Sequence, residues 1–283
     1  MKTTKFHKPP MMYFKNKTVV ISGASRGIGK AIALKLAAEG ANIVIAAKSV
    51  EEHPKLGGTI YSAAEEIEAA GGKALPMRCD IRNDEDIQAM VDAAVEKFGG
   101  IDILINNASA ISLLTAEKLS PKQYDLMFDI NVRGTFMMCK ACIPHLKASG
   151  NGHILNLSPP ITLEDKFLGD HLAYTMSKLN MTMVALGLSV ELKQYNVAAN
   201  SLWPKTTIAT AAVKNLLGGE QLMNMSRKVD IVADAAHYIL SQPAEFCTGN
   251  TFIDEYVLRE AGVVDFEPYS MVPNAKLYSD LFL

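Results

Sequence analysis

The sequence contains little cysteine, little excess charge and no long apolar run, and each scarcity argues against a class of protein. Its four cysteines are too few for a disulfide scaffold and are typical of a reducing compartment. The formal net charge of −2 indicates no basic surface, so we expect no nucleic-acid partner. No apolar run approaches the roughly 20 residues that cross a bilayer, so we expect no membrane span.

Targeting and metal signals are also scarce. Residues 1–16 carry lysines but no apolar segment and no arginine, which predicts an N-terminal extension and not a signal or transit peptide. The C-terminus matches no common address tag, so we expect a cytoplasmic protein, although an organelle stays open. Cys139 and Cys142 form a C-x-x-C pair inside an apolar helical pattern. We interpret them as buried thiols and predict no metal site.

Short apolar strands alternate with helical patterns along the chain. Strands are predicted at about 18–22, 42–47, 73–79, 101–106, 152–157, 197–202 and 250–254, and helices near 27–39, 59–71, 83–98, 121–148, 172–194 and 229–241. This alternation predicts an α/β fold, a single Rossmann-type doubly wound parallel sheet with helices on both faces. One folded domain would span 17–254. The C-terminal tail, 255–283, would pack on this domain or on a partner subunit.

The stretch from Thr18 to Lys30 places a β-branched strand, three glycines and a helix start in succession. The glycines are Gly23, Gly27 and Gly29. Because they lack side chains, backbone N–H groups can approach a pyrophosphate, and the helix dipole favours its charge. A tight turn that binds nothing seldom needs three glycines. The stretch therefore predicts a dinucleotide site.

The residues after the second and third predicted strands bear on cofactor choice. No carboxylate ends the second strand, where an NAD enzyme of this design places one for the ribose 2′-OH. Lys48 stands there instead, and Arg26 lies within the glycine turn. Two cations in this region would attract a 2′-phosphate, which favours NADP(H). Asp80 ends the third strand and would either accept from an adenine amino group or cap the following helix.

A tyrosine and a lysine four residues apart form the candidate catalytic pair. Tyr174 and Lys178 would share one face of a helix. A nearby ammonium stabilises the phenolate, lowers the pKa of the phenol and makes tyrosine a usable acid or base. Tyr13 and Lys17 repeat the spacing, but Tyr174 alone follows a strand that ends in serine and opens a long apolar helix.

These motifs together resemble the short-chain dehydrogenase/reductase family. The resemblance covers about 17–254 and is carried by Ser22-Gly-Ala-Ser-Arg-Gly-Ile-Gly29, Asn106-Asn-Ala108, Asn131, Ser158, Tyr174-x3-Lys178 and Pro204. It implies that Tyr174 exchanges a proton with the substrate oxygen. Lys178 would hold the nicotinamide ribose and tune the phenol, Asn131 would anchor a relay water, and Ser158 would polarise the carbonyl.

The resemblance also implies the residues that contact the cofactor. They are Ser22, Gly23, Ser25, Arg26, Gly27, Ile28, Gly29, Lys48, Asp80, Ile81, Asn107, Ala108, Tyr174, Lys178, Pro204 and Thr206. The serine departs from the family pattern. Ser158 lies farther ahead of Tyr174 than the family's serine does, and Pro159 stands at the second place of the usual serine pair. Either a shifted loop brings Ser158 to the site or the serine role is lost.

The resulting hypothesis is an NADP(H)-dependent oxidoreductase acting on a carbonyl or secondary alcohol. Segments expected to form the pocket are rich in Leu, Ile and Met, which suits an apolar or lipid-like substrate as well as plain packing. The alternatives are an NADP(H)-responsive binding protein with little turnover and an enoyl-type reductase on the same fold. The two longest predicted helices carry more apolar residues than one sheet face buries, so we expect a homodimer or homotetramer.

Overall fold

One parallel sheet organises the computed structural model, which describes residues 12–283. Its seven strands are β1 (Thr18–Ser22), β2 (Asn42–Ala47), β3 (Lys73–Arg78), β4 (Ile103–Asn106), β5 (Gly152–Leu157), β6 (Val197–Trp203) and β7 (Thr251–Ile253). They lie in the order β3-β2-β1-β4-β5-β6-β7, and every pair is parallel. The fold class predicted from the sequence is confirmed. Strand order reverses between β1 and β4, which places the ligand crevice at the carboxyl ends of these strands.

Helices cover both faces of the sheet. They are α1 (Gly27–Ala37), α2 (Ile60–Ala69), α3 (Asp84–Phe98), α4 (Pro121–Met127), α5 (Thr135–Ala148), α6 (Asp165–Asp170), α7 (Leu172–Glu191), α8 (Gly219–Asn224), α9 (Asp230–Leu240) and α10 (Asp254–Glu260). Short 3₁₀ turns occupy Lys193–Tyr195 and Glu267–Tyr269. Within residues 12–283, no helix is long and apolar enough to cross a membrane.

Two apolar cores flank the sheet. Successive side chains of a strand point to opposite faces, so Val19 and Ile21 of β1 enter one core while Val20 enters the other. All five residues of β1 are buried, as expected for a strand covered by helices on both sides. The four cysteines are buried free thiols, in agreement with the interpretation of the C-x-x-C pair.

The two longest predicted helices differ from the structure. The stretch 121–148 is interrupted by a π-helical segment, Phe128–Gly134, between α4 and α5. The helix predicted at 172–194 ends earlier, at Glu191, and a 3₁₀ turn follows. Apolar spacing alone did not reveal the interruption, because a π-turn adds one residue to a turn without a composition of its own.

The predicted terminal segments differ in how far the structure describes them. Most of the predicted extension, residues 1–16, lies outside the described residues. Near the other end, Phe282 is buried against Tyr174, Trp203 and Phe167. The last residues thus reach the carboxyl end of β6, and the division of the chain at 254 stays a prediction.

Candidate active site

The glycine turn lies against the end of β4. Gly23 has φ +70°, and a Cβ there would come within 3.0 Å of the side chain of Asn107. The Asn107 amide donates to the carbonyl oxygens of Ser22 and Gly23 at 3.0 and 3.2 Å. The Ser22 hydroxyl accepts from the backbone N–H groups of Asn107 and Ala108 at 3.0 and 3.1 Å. Ser22, Asn107 and Ala108 therefore shape the turn through protein–protein hydrogen bonds.

Helix α1 begins directly at this turn. Gly27 adopts φ +57°, and no side chain caps the helix N-terminus. No acidic residue occupies the first helical turn, and Ser25 is buried beside it. Uncapped N–H groups at a helix start favour an anion. A Cβ on Gly29 would lie 2.5 Å from the Asn107 amide nitrogen, so only glycine fits there.

The cations of the adenosine side are engaged with protein groups. The Arg26 guanidinium donates to the carbonyl of Gly57 at 2.7 Å and to the Ser49 hydroxyl. Lys48, just after β2, lies 3.6 Å from a carboxylate oxygen of Asp80, and its side chain is 53% exposed. Both cations lie at the carboxyl edge of the sheet, but neither is an isolated charge.

Asp80 forms a fork-like pair with Arg82. The Arg82 guanidinium donates to both carboxylate oxygens at 2.6 to 3.2 Å. These hydrogen bonds lower the pKa of Asp80 to about 2. The cap of α3 is Asn83, whose side chain accepts from Glu85 and Asp86. Asp80 is therefore not the cap that one sequence interpretation allowed. Its neighbour Ile81 is buried against Gly134.

Tyr174 and Lys178 lie on one face of α7, as their spacing predicts. Both side chains are buried, and Lys178 Nζ donates to the carbonyl of Leu157 at 2.6 Å. Burial lowers the pKa of Lys178 to about 7. Burial, with a smaller contribution from Asp280, raises the pKa of Tyr174. This direction is opposite to the sequence expectation, because enclosure disfavours the charged phenolate.

Asn131 lies in the π-helical segment and faces α7. Its carbonyl oxygen accepts from Ala110 N–H at 2.8 Å, and its amide donates to Ala110 and to Ser177 at 2.9 Å each. Ser177 in turn donates to the carbonyl of Tyr174 at 2.8 Å. Asn131 thus links the loop after β4 to the turn of α7 that carries Tyr174. Ser177 belongs to this connection and gave no signal in the sequence beyond its place between the tyrosine and the lysine.

Ser158 is not brought to the cavity. It is fully buried, and Thr182 Oγ1 lies 2.8 Å from its hydroxyl. The same Thr182 hydroxyl donates to the carbonyl of Pro159 at 2.6 Å. Of the four predicted catalytic residues, Tyr174, Lys178 and Asn131 meet at one end of α7, whereas Ser158 bonds to the protein interior.

A cavity of about 1000 Å³ opens above Tyr174. Ile28 of the glycine turn and Pro204 after β6 line it together with Tyr174, and most of the remaining wall is apolar. The C-terminal residues Tyr278 to Leu281 line it as well. Sequence reasoning did not anticipate that the chain's last residues form a wall of this cavity.

The residues present fit a dinucleotide. Thr206 is buried beside the cavity-lining residues Pro204 and Thr207, and its hydroxyl has no hydrogen-bond partner among residues 12–283. A buried polar atom without a partner is costly unless a ligand satisfies it. The glycine turn adds close backbone access and the uncapped start of α1. Pyrophosphate oxygens and a carboxamide are groups that such donors recognise.

Comparison with known proteins agrees with this geometry. The family described as short chain dehydrogenase matches residues 17–220, and the chain belongs to this family. The chain is also 56% identical over 266 residues to hydroxysteroid dehydrogenase-like protein 2 of Bos taurus and 55% identical to that of Homo sapiens. Each match covers 94% of this chain and 63% of the relative. The chain thus spans less than two thirds of the length of these relatives.

Solved structures show the same architecture. A short chain dehydrogenase from Mycobacterium thermoresistibile is 53% identical with a TM-score of 0.91, and the match covers 95% of this chain and 96% of that one. A metagenomic short-chain oxidoreductase in complex with NADP is 26% identical, with a TM-score of 0.70 and coverage of 85% and 97%. An NADH-dependent reductase complexed with NAD is 26% identical, with a TM-score of 0.69 and coverage of 86% and 97%. The structural neighbours thus include one complex with NADP and one with NAD.

Proposed function

We propose that this protein is an NADP(H)-dependent oxidoreductase that interconverts a carbonyl and a secondary alcohol. The observation that carries the proposal is the position of Tyr174 in the wall of a cavity that begins at the glycine turn. A nicotinamide cofactor supplies the hydride when bound. The turn from Ser22 to Gly29, with Thr206 opposite, would hold it, and the chain's own residues would orient the substrate and handle its proton.

The side chains around α7 would exchange the proton, bind the nicotinamide ribose and hold the helix in position. The Tyr174 hydroxyl would exchange a proton with the substrate oxygen. Lys178, held by the carbonyl of Leu157, would bind the nicotinamide ribose and favour the phenolate once its ammonium faces the site. Asn131 would fix the position of α7 relative to the loop after β4 through its hydrogen bonds to Ala110 and Ser177. The relay water would bind next to Asn131.

The apolar cavity wall supports an apolar or lipid-like substrate. Leu114, Leu157, Ile208 and Leu222 line the cavity, and burying a methylene on such side chains contributes about 0.8 kcal/mol. The test is NADPH oxidation with aliphatic ketones from acetone to 2-undecanone. We expect kcat/KM to rise with chain length. Tyr174→Phe should lower kcat by roughly 10²- to 10⁴-fold while NADPH affinity stays near that of wild type.

The two cations of the adenosine side support a preference for NADP(H). Arg26 and Lys48 would exchange their present partners, Ser49 and Asp80, for the stronger charge of a 2′-phosphate. We expect wild type to bind NADPH more tightly than NADH by about tenfold or more, and Lys48→Ala to reduce that ratio. Lys73→Ala, at the opposite edge of the sheet, is the matched control. Equal wild-type affinities would contradict the preference.

A second candidate function is an NADP(H)-responsive binding protein with little turnover. The specific observation that favours it is the Ser158 hydroxyl, which is turned to Thr182 and away from the cavity. Tight NADPH binding with no turnover on the ketone series would support this reading. An enoyl-type reductase would instead reduce conjugated double bonds, so trans-2-enoyl substrates belong in the same assay.

A further inference from the structure

The last residues of the chain are fixed along the segment that follows β6. Ser279 forms an antiparallel bridge with Thr206, and the Asp280 N–H donates to the carbonyl of Lys205 at 3.1 Å. The Trp203 indole N–H donates to the carbonyl of Leu281 at 2.8 Å. Residues 278–282, which we call the C-terminal wall, are therefore held in place by these bonds and form part of the site.

Asp280 is the acidic side chain of this wall. One carboxyl oxygen, Oδ1, accepts from the Leu281 N–H at 2.7 Å. The other, Oδ2, accepts no hydrogen bond from the part of the chain that the structure describes, and Asp280 has no ion pair with those residues either. Asp280 lines the same cavity as Tyr174. Asp280 therefore contributes to the surface that a substrate meets.

The surroundings of Asp280 favour its neutral form. The titratable groups that face it are Tyr174 and Lys178 from α7 and Asp254 at the start of α10. Burial, reinforced by the charge of Asp254, raises the pKa of Asp280 to about 7, although Leu281 N–H and Lys178 act in the opposite direction. A neutral carboxyl group can donate a hydrogen bond, which a carboxylate cannot.

Ser158, the serine that the family resemblance assigns to the substrate carbonyl, is not among the residues that line the cavity, although Ser112 and Ser279 are. Ser158 is buried against Thr182 and does not line the cavity. A carbonyl that accumulates negative charge during reduction gains most from a second donor fixed beside the proton donor. Among the described residues that line the cavity, Asp280 is the one with a carboxyl group, and Tyr174 lines the same cavity.

We propose that the Asp280 carboxyl group contacts the substrate oxygen beside Tyr174 and supplies the second hydrogen bond in place of a serine. The proposal rests on the proposed oxidoreductase function. Tyr174 supplies the proton that the substrate oxygen gains, Asp280 keeps its own proton, and no bond at Asp280 forms or breaks. The substrate class is thus an apolar ketone or secondary alcohol whose oxygen is held between a phenol and a carboxyl group.

The test compares Asp280→Ala and Asp280→Asn with wild type, using NADPH and 2-decanone. We expect Asp280→Ala to lower kcat by about 10²-fold, the usual effect of removing one such donor, with NADPH affinity within about twofold of wild type. Asp280→Asn keeps an N–H donor, because Leu281 N–H holds the amide oxygen at the Oδ1 position. It should retain activity within about tenfold. Asp265→Asn, an exposed carboxylate of the same tail, is the control.

A pH profile of kcat separates a donor from a structural role. Wild-type kcat should fall above about pH 7 as Asp280 ionises and as Lys178 loses its proton. The fall should be shallower in Asp280→Asn, in which only Lys178 still titrates. An unchanged alkaline fall in Asp280→Asn, or wild-type kcat in Asp280→Ala, would overturn the proposal while the oxidoreductase function stands. If wild type failed to oxidise NADPH with every ketone and enoyl substrate tested, the proposed oxidoreductase function would be wrong. The role of Asp280 would then be wrong as well.

Discussion

At the scale of single residues, Ser158 follows the carboxyl end of β5, where the site lies, but its hydroxyl bonds to a residue of the protein interior. We expect Ser158→Ala to change kcat less than about threefold, because the hydroxyl bonds to Thr182. Thr182 keeps its bond to the carbonyl of Pro159, so unfolding free energy should fall by only about 1 kcal/mol. Steady-state kinetics measures the change in kcat, and urea unfolding measures the change in unfolding free energy. A loss of kcat as large as that of Tyr174→Phe would show that Ser158 reaches the substrate.

His153, near the start of β5, affects stability through protonation. Its ring is buried, and burial, aided by Lys17, lowers the pKa to about 4. In the unfolded chain the ring binds a proton near pH 6.5, so between pH 6.5 and 4 the unfolded state holds more protons. Stability should therefore fall as the pH drops through this window, by up to about 3 kcal/mol. Urea unfolding at pH 7 and 5 should show a smaller loss in His153→Gln, and equal losses would contradict this assignment.

At the scale of elements, the βα turn depends on close approach between the glycines and β4. A Cβ on Gly29 would come within 2.5 Å of the Asn107 amide and 2.8 Å of the Gly23 carbonyl. Gly29→Ala should therefore lower both unfolding free energy and NADPH affinity, the latter by about tenfold or more. The matched control is Gly169→Ala in α6, where a Cβ meets nothing within 4 Å. Calorimetry that found both variants alike would refute this reading of the turn.

The sequence predicted the elements whose signal is local. β1 and the start of α1 follow from a β-branched run and three glycines, and Tyr174 with Lys178 follow from helical spacing. The π-helical segment around Asn131 carries no apolar pattern of its own. The direction of the Ser158 hydroxyl depends on Thr182, and Asp280 reaches Tyr174 only because the chain's end pairs with Thr206. Contacts between residues that are far apart in the sequence produce no periodic sequence pattern from which they could be predicted.

At the scale of the whole molecule, one face of α7 has no packing partner among residues 12–283. Met176, Met183 and Val190 recur at helical spacing on this face, and Val190 is 77% exposed. Phe136 of α5 is exposed as well. Apolar side chains aligned along a helix, and not scattered singly, mark a surface that another chain covers. A two-fold axis would pair the patch with itself.

We therefore predict that the protein forms a homodimer or homotetramer through α5 and α7. Light scattering of wild type at micromolar concentration should give the mass of two or four chains. Met183→Glu combined with Val190→Glu places two like charges on each side of the two-fold axis, so the mass should fall, because burying unpaired charges costs several kcal/mol each. Val264→Glu, which changes an equally apolar and 90% exposed residue of the C-terminal tail, should leave the mass unchanged. A monomeric wild type, or a double variant with the wild-type mass, would contradict this interface.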